Sequence, residues 1–164
     1  MFDVVIIGAG PAGRAAAHIF AKHNLKAILF SEEMAYAPIS EEFELLEPEV
    51  FDINTVTGSG SLEMRFKTAI ILMEKNVVSF SLETSDGKIV YARSVIIATG
   101  NQSSNFESLT LKTPEGKIKV DQHFQSNILG VFAAGSASDA GAETAEIAAA
   151  QGFLAAHAVL KLLQ

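Results

Sequence analysis

The stretch Val4-Val5-Ile6-Ile7-Gly8-Ala9-Gly10-Pro11-Ala12-Gly13 decides the fold. Its first four residues form an unbroken β-branched run, the pattern of a strand buried on both faces of a parallel sheet. The glycines that follow permit a tight turn, let the backbone approach a pyrophosphate, and let the next helix pack closely on the strand. Over residues 12–23 the polar side chains of Arg14, His18 and Lys22 recur at every fourth position, which predicts a helix with one solvated stripe. His18 and His23 are expected on that surface. Asn24 closes the helix, and Ala27-Ile28-Leu29-Phe30 supplies a second strand, completing a βαβ unit. A helix that opens directly after such a turn offers free N–H groups and the positive end of its dipole to an anion. The strand before and the helix after separate this pattern from a glycine turn without a ligand.

Working outward, a dinucleotide site wants a carboxylate after the second strand to hold the adenosine ribose. Ser31-Glu32-Glu33 stands there, and either glutamate has the chemistry to do it, with solvation of both as the alternative. Residues 32–52 then carry eight acidic side chains and no Lys or Arg, broken by Pro38 and Pro48, which reads as a solvated surface excursion. Residues 62–75 are expected to hold a helix running into a short strand at 70–72. Segments 77–83 and 89–91 flank the hairpin turn Ser85-Asp86-Gly87-Lys88. Residues 94–98 return to a buried parallel strand, 101–108 form a polar link, 116–120 and 130–134 read as strands, and 144–163 as a long alanine-rich helix. The pattern predicts an α/β fold: a Rossmann-type parallel sheet with flanking helices and a small antiparallel β-meander. Residues 1–164 are expected to form one domain.

A hydrophobic content of 49% with 19% charged residues fits a compact globular chain. The net charge of −7, with no basic cluster, gives no footprint for nucleic acid. The sequence has no cysteine, which excludes disulfides, thiolate metal sites and dithiol chemistry among these residues. His18, His23, His123 and His157 show no metal-ligand spacing and no partner cluster, so we assign no metal site and no catalytic residue. The apolar run 147–160 is interrupted by Gln151, Gly152 and His157 and is shorter than a membrane span needs. Met1-Phe2-Asp3 has no basic region. A soluble, cytoplasmic protein without a membrane partner is expected.

Three motifs occur in a fixed order: residues 8–13, then Ser94-Val95-Ile96-Ile97-Ala98-Thr99-Gly100, then Gly130-Val131-Phe132-Ala133-Ala134-Gly135. With Gly116-Lys117-Ile118-Lys119-Val120-Asp121, the Ile128-Leu129-Gly130 turn and the last helix with Gly152, they resemble the thioredoxin reductase-like branch of the FAD-dependent pyridine nucleotide-disulfide oxidoreductases. The resemblance covers most of the chain and fails mainly between residue 32 and about residue 60. It implies a bound FAD, with Gly8, Gly10, Pro11, Ala12 and Gly13 at the pyrophosphate. Ser31 and Glu32 would lie by the adenosine ribose, and Val77 or Val78 near the adenine. Ala98, Thr99 and Gly100 would border the dinucleotide. Gly135 and Ser136 would meet the ribityl chain and pyrophosphate, and Thr144 and Ala145 the flavin pyrimidine.

The chain also departs from that family. Only residues 101–111 fill the interval where it carries a nicotinamide-binding domain, and its redox cysteine pair is absent. Ser136 stands where the family has Asp, and Glu143-Thr144 where it has Arg-Gln. A glutamate pointed at the flavin N1 would disfavour the reduced, anionic form. The leading expectation is therefore a flavoprotein oxidoreductase or electron-transfer component, reduced by a redox protein partner or by free NAD(P)H. A nonenzymatic or regulatory dinucleotide-binding protein and a plain NAD-binding domain stay open as alternatives. The resemblance also implies a homodimer.

Overall fold

The computed structural model describes residues 1–33, 62–101 and 106–164. Strand β1 (Phe2–Ile7) leads through the glycine turn into helix α1 (Pro11–Lys22) and returns as β2 (Ala27–Phe30). Then come β3 (Leu62–Arg65), β4 (Ile70–Lys75), β5 (Phe80–Thr84) and the long β6 (Ile89–Ile97). Two short 3₁₀ turns, β7 (Val131–Ala133), a third 3₁₀ turn (Gly135–Ala137) and helix α2 (Ala145–Leu163) complete the described chain.

The described residues form one seven-stranded sheet. Its parallel part pairs β3, β2, β1, β6 and β7 in that order, with Val4 opposite Ala27 and Ser94, and Ile96 opposite Phe132. Strand β6 joins the parallel and antiparallel parts of the sheet. Its first residues pair antiparallel with β5, which pairs antiparallel with β4, and its last three pair with β7. The α/β Rossmann-type arrangement with a β-meander expected from the sequence is therefore the observed one.

The unbroken apolar run of β1 makes sense from the two cores it divides. Val4 and Ile6 point with Leu29, Ile96 and Phe132 toward α1 and α2. Val5 and Ile7 point with Ile28, Phe30, Val95 and Ile97 toward the meander side chains Met73, Phe80, Leu82 and Val90. A strand with core on both sides has no solvated face, so no alternation survives. Each such side chain contributes roughly 1.5–3 kcal/mol on burial.

Several expectations are corrected by these pairings. Residues 62–65 are a strand, not the start of a helix. Leu, Glu, Met and Arg are good helix formers, but β2 offers an open parallel edge that they complete from Leu62 to Arg65. Segments 89–91 and 94–98 are one continuous strand across Arg93, because both neighbours hydrogen-bond to it. Residues 116–120 make only an isolated bridge, Ile118 with Ser138. Helix α1 is covered on most of its circumference, so Arg14 and His18 are each only 6% exposed rather than solvated. His23 and His157 are exposed and meet edge to face, 6.4 Å between ring centroids. The proline-broken part of the acidic segment, 34–52, and residues 102–105 of the polar link lie outside the described residues.

Helix α2 is the one described helix long and apolar enough, by length and composition, to cross a membrane. Length alone therefore does not exclude a span, contrary to the expectation from the run 147–160. In this fold its small side chains, Ala149, Gly152, Ala155 and Ala156, are buried, with α1 packed closely against it.

Candidate functional site

Because β1, β2, β6 and β7 run parallel, their C-terminal ends share one edge of the sheet, and the segments that leave them line one cleft of about 260 Å³. The turn after β1 contributes Gly8, Gly10, Pro11 and Ala12. The segment after β2 contributes Ser31, Glu32 and Glu33; that after β6, Ala98, Thr99 and Gly100; and that after β7, Gly135 and Ser136. The placement at the carboxyl ends of parallel strands is where open α/β sheets bind ligands.

The backbone explains why glycine is required at the floor. Gly8 has φ +112°, and a Cβ there would sit 2.1 Å from the Ala98 carbonyl oxygen of the neighbouring strand end. At Gly13 a Cβ would lie 1.9 Å from the Gly8 oxygen, so only a bare Cα lets α1 lie down on the turn. Gly10 differs: nothing lies within 4 Å of where its Cβ would be, so this stretch of backbone borders open space. Gly10 is also the N-cap of α1; no side chain caps that end among the described residues, and its first turn holds no acidic residue. Among the described residues, the bare N–H groups and the positive dipole end at the cleft thus meet no capping side chain and no first-turn carboxylate.

The remaining walls are held by directed bonds. Ser31 donates its N–H to the Arg65 carbonyl (2.9 Å), its carbonyl accepts from Thr68 N (3.0 Å), and its Oγ accepts from Glu33 N (3.2 Å). At the β7 turn, Gly135 donates to Gln151 Oε1 (2.8 Å), a buried side chain from α2 whose Nε2 donates to the Gly141 carbonyl. Lys117 Nζ donates to Asn101 Oδ1 (2.8 Å) and to the Ser136 carbonyl. Past Thr99, Gly100 and Ser136, which line both, a second cavity of about 730 Å³ opens against Phe106, Leu111 and Ile118.

The family model for pyridine nucleotide-disulphide oxidoreductases matches residues 53–152. The chain belongs to that family. Its members bind FAD. A second family model, for glucose inhibited division protein A, matches residues 3–45, across the glycine turn. Among solved structures the fold is similar to thioredoxin reductase of Lactococcus lactis, at TM-score 0.82 and 15% identity over 99% of each chain. It is likewise similar to that of T. acidophilum, at TM-score 0.82 and 16% identity over 98% of each. Among curated proteins it is 29% identical to a ferredoxin–NADP reductase of Lactobacillus helveticus, over 87% of this chain and 52% of that protein. It is 32% identical to a glucosaminate ammonia-lyase of Pseudomonas fluorescens over 59% of this chain and 33% of that protein. The chain spans between 13% and 52% of the length of the curated relatives it matches.

Set against this family's domain, the expected positions fall into four groups. Gly8, Gly10, Pro11, Ala12, Ser31, Glu32, Glu33, Ala98, Thr99, Gly100, Gly135 and Ser136 all line the cleft. Gly13 lies behind it, as spacer rather than wall. Val77 and Val78 do not approach it. They sit 98% and 80% exposed in the turn closed by Asn76 N to the Ser79 oxygen, and Thr68, Ala69 and Ile70 line the cleft instead. The cause is the strand at 62–65, which brings the start of β4, not its end, beside Ser31. Thr144 caps α2 by accepting from Ile147 N (3.2 Å), and Ala145 begins the helix; Ala148 is the α2 residue on the cleft wall. Glu143 is exposed. The Ser136 hydroxyl is directed at the Ala142 carbonyl (3.4 Å). Sequence reasoning missed Gln151 and Lys117. A lone glutamine amid alanines was the available signal for the first; for the second there was none.

Proposed function

We propose that this chain is the FAD-binding part of a thioredoxin reductase-like flavoprotein oxidoreductase, with FAD extended along the cleft from Ser31 to Ser136. The observation that carries this is the uncapped N-terminus of α1 beside the open backbone of Gly10, an anion site with no protein anion in it among the described residues. In this reading Gly10 and Ala12 offer backbone N–H groups to the pyrophosphate, with Gly13 letting the helix lie close behind them, Glu32 or Glu33 accepts from the adenosine ribose, and Ser136 meets the ribityl end. Thr99 and Gly100 border the path between them. When bound, FAD supplies hydride and electron transfer. The protein supplies position and field, and the electrons come from a redox protein partner or from free NAD(P)H.

We also propose that residues 1–164 act as one FAD domain, in a soluble cytoplasmic homodimer. The exposed apolar side chains Ile147 and Leu154 of α2 support the dimer. A monomeric mass in light scattering would overturn it.

The test is a flavin titration followed by anaerobic addition of NADH or NADPH. Flavin absorption retained through gel filtration, and bleached by a nicotinamide or a reducing partner protein, is expected. Gly10→Ala should keep the apoprotein's melting temperature, because its Cβ meets nothing, yet lose flavin, because that Cβ occupies the pyrophosphate path. A wild-type protein that retains no flavin in excess FAD overturns the proposal.

A further inference from the structure

Two walls of the cleft come from segments far apart in sequence: the one after β6, carrying Thr99 and Gly100, and the one after β7, carrying Gly135 and Ser136. The strands bond directly as far as Ile97 and Ala133, and Ala134 N still reaches the Ile97 oxygen (3.0 Å). Beyond that point the ladder stops, and both segments line the cleft. One side chain then spans them. Lys117 follows the Pro114–Gly116 turn, is partly buried, and bonds Asn101 on one side and Ser136 on the other. The backbone on both sides of it is itself fixed, Lys117 N to the Pro114 oxygen (3.0 Å) and Ile118 N to the Ala137 oxygen (2.9 Å), so the ammonium is delivered from an anchored position.

We infer that Lys117 is a positioning residue that braces the two walls of the cofactor cleft against each other, setting its width at the Thr99–Ser136 end. This inference rests on the FAD reading of the cleft. The chemistry suits the task. An ammonium has three donors and no acceptor, so it can hold two oxygens at once without competing for the backbone N–H groups that face the ligand. The Ser136 carbonyl accepts from Lys117 while Gly135 N–H donates to Gln151. The turn is held at both residues, and the Gly135 carbonyl accepts in addition from Ser138 N (3.1 Å) and Ser138 Oγ (3.0 Å), so its backbone beside the cleft is fixed.

The experiment compares wild type, Lys117→Met, Lys117→Arg, Asn101→Ala and the Lys117→Met/Asn101→Ala double variant. FAD affinity is read by flavin fluorescence, and amide exchange at 99–101 and 135–136 is read on the apoprotein. Lys117→Met is expected to weaken FAD binding roughly ten-fold, the scale of a lost charge-assisted hydrogen bond. Amide exchange of both segments should speed up, with apoprotein melting kept within a few degrees. Arginine keeps the cation and its donors and should restore affinity to within roughly three-fold of wild type. The double variant should bind no worse than Lys117→Met alone, since Asn101 acts through Lys117. Wild-type affinity and wild-type exchange in Lys117→Met overturn the brace and leave the FAD reading standing, as do strictly additive effects in the double variant. Faster exchange in a protein that binds no FAD upholds the brace and overturns the FAD reading.

Discussion

Replacing Gly152 with alanine sets helix propensity against packing. In an exposed helix interior, glycine to alanine stabilises by about 1 kcal/mol. Here Gly152 is where α2 crosses α1: a Cβ would lie 2.1 Å from the Ala12 carbonyl oxygen and 2.8 Å from its carbonyl carbon and Cα. These are backbone atoms of a helix's first turn and cannot swing aside as a flexible side chain can. The helices must separate by roughly 1 Å, loosening the seam of Ala12, Ala16, Phe20, Ala155 and Val159. Overpacking of this kind costs typically about 1–3 kcal/mol, and the backbone clash puts it at the upper end, beyond the propensity gain. A net loss of about 2 kcal/mol lowers the melting temperature by about 4–8 °C in a chain of this size. Thermal melting by circular dichroism of the apoprotein measures it. Ala150→Gly, at an exposed position of the same helix, serves as the propensity control. Because Ala12 also walls the cleft, FAD affinity should fall in Gly152→Ala beyond any effect of Ala150→Gly. A melting temperature equal to or above wild type would refute the reasoning, since propensity alone would then account for the site.

Gln151→Leu leaves the buried Gly135 N–H and the Gly141 carbonyl without their side-chain partner, and should cost about 1–3 kcal/mol in urea denaturation together with weaker FAD binding. The paired change Val77→Ser and Val78→Ser should leave FAD affinity unchanged, because both side chains are exposed away from the cleft; weakened binding would restore them to the site. In the β5–β6 turn, the Thr84 hydroxyl bond, then Lys88, holds the Asp86 carboxyl below its ordinary range. A carboxylate lowered in the folded state adds stability that is present above its unfolded pKa and is lost as pH falls through the folded value. Asp86→Asn should therefore be less stable than wild type at neutral pH, and urea melts should converge as the pH drops through the carboxylate range. A gap that widens on acidification would contradict this.

By itself the sequence determined the central βαβ unit, the β6 strand end, the β7 strand end and the last helix, because each is written in local chemistry. A β-branched run with no polar face can only lie between two cores. Gly8-Ala9-Gly10-Pro11-Ala12-Gly13 admits a turn and a helix start that few other sequences tolerate, and the alanine-rich stretch 144–163 reads as a helix, which the structure starts at Ala145 with Thr144 as its N-cap. Tertiary structure decided the rest. Residues 62–65 carry helix-forming side chains, and only the open edge of β2 makes them a strand, which in turn brings Thr68–Ile70, not Val77 and Val78, to the cleft. Arg14 and His18 keep helical spacing in either environment, so periodicity could not report that their stripe is covered. Gln151 and Lys117 meet partners as many as 16 and 19 residues away. Such contacts leave no local period, because they exist only once the sheet has set the distance between the segments they join.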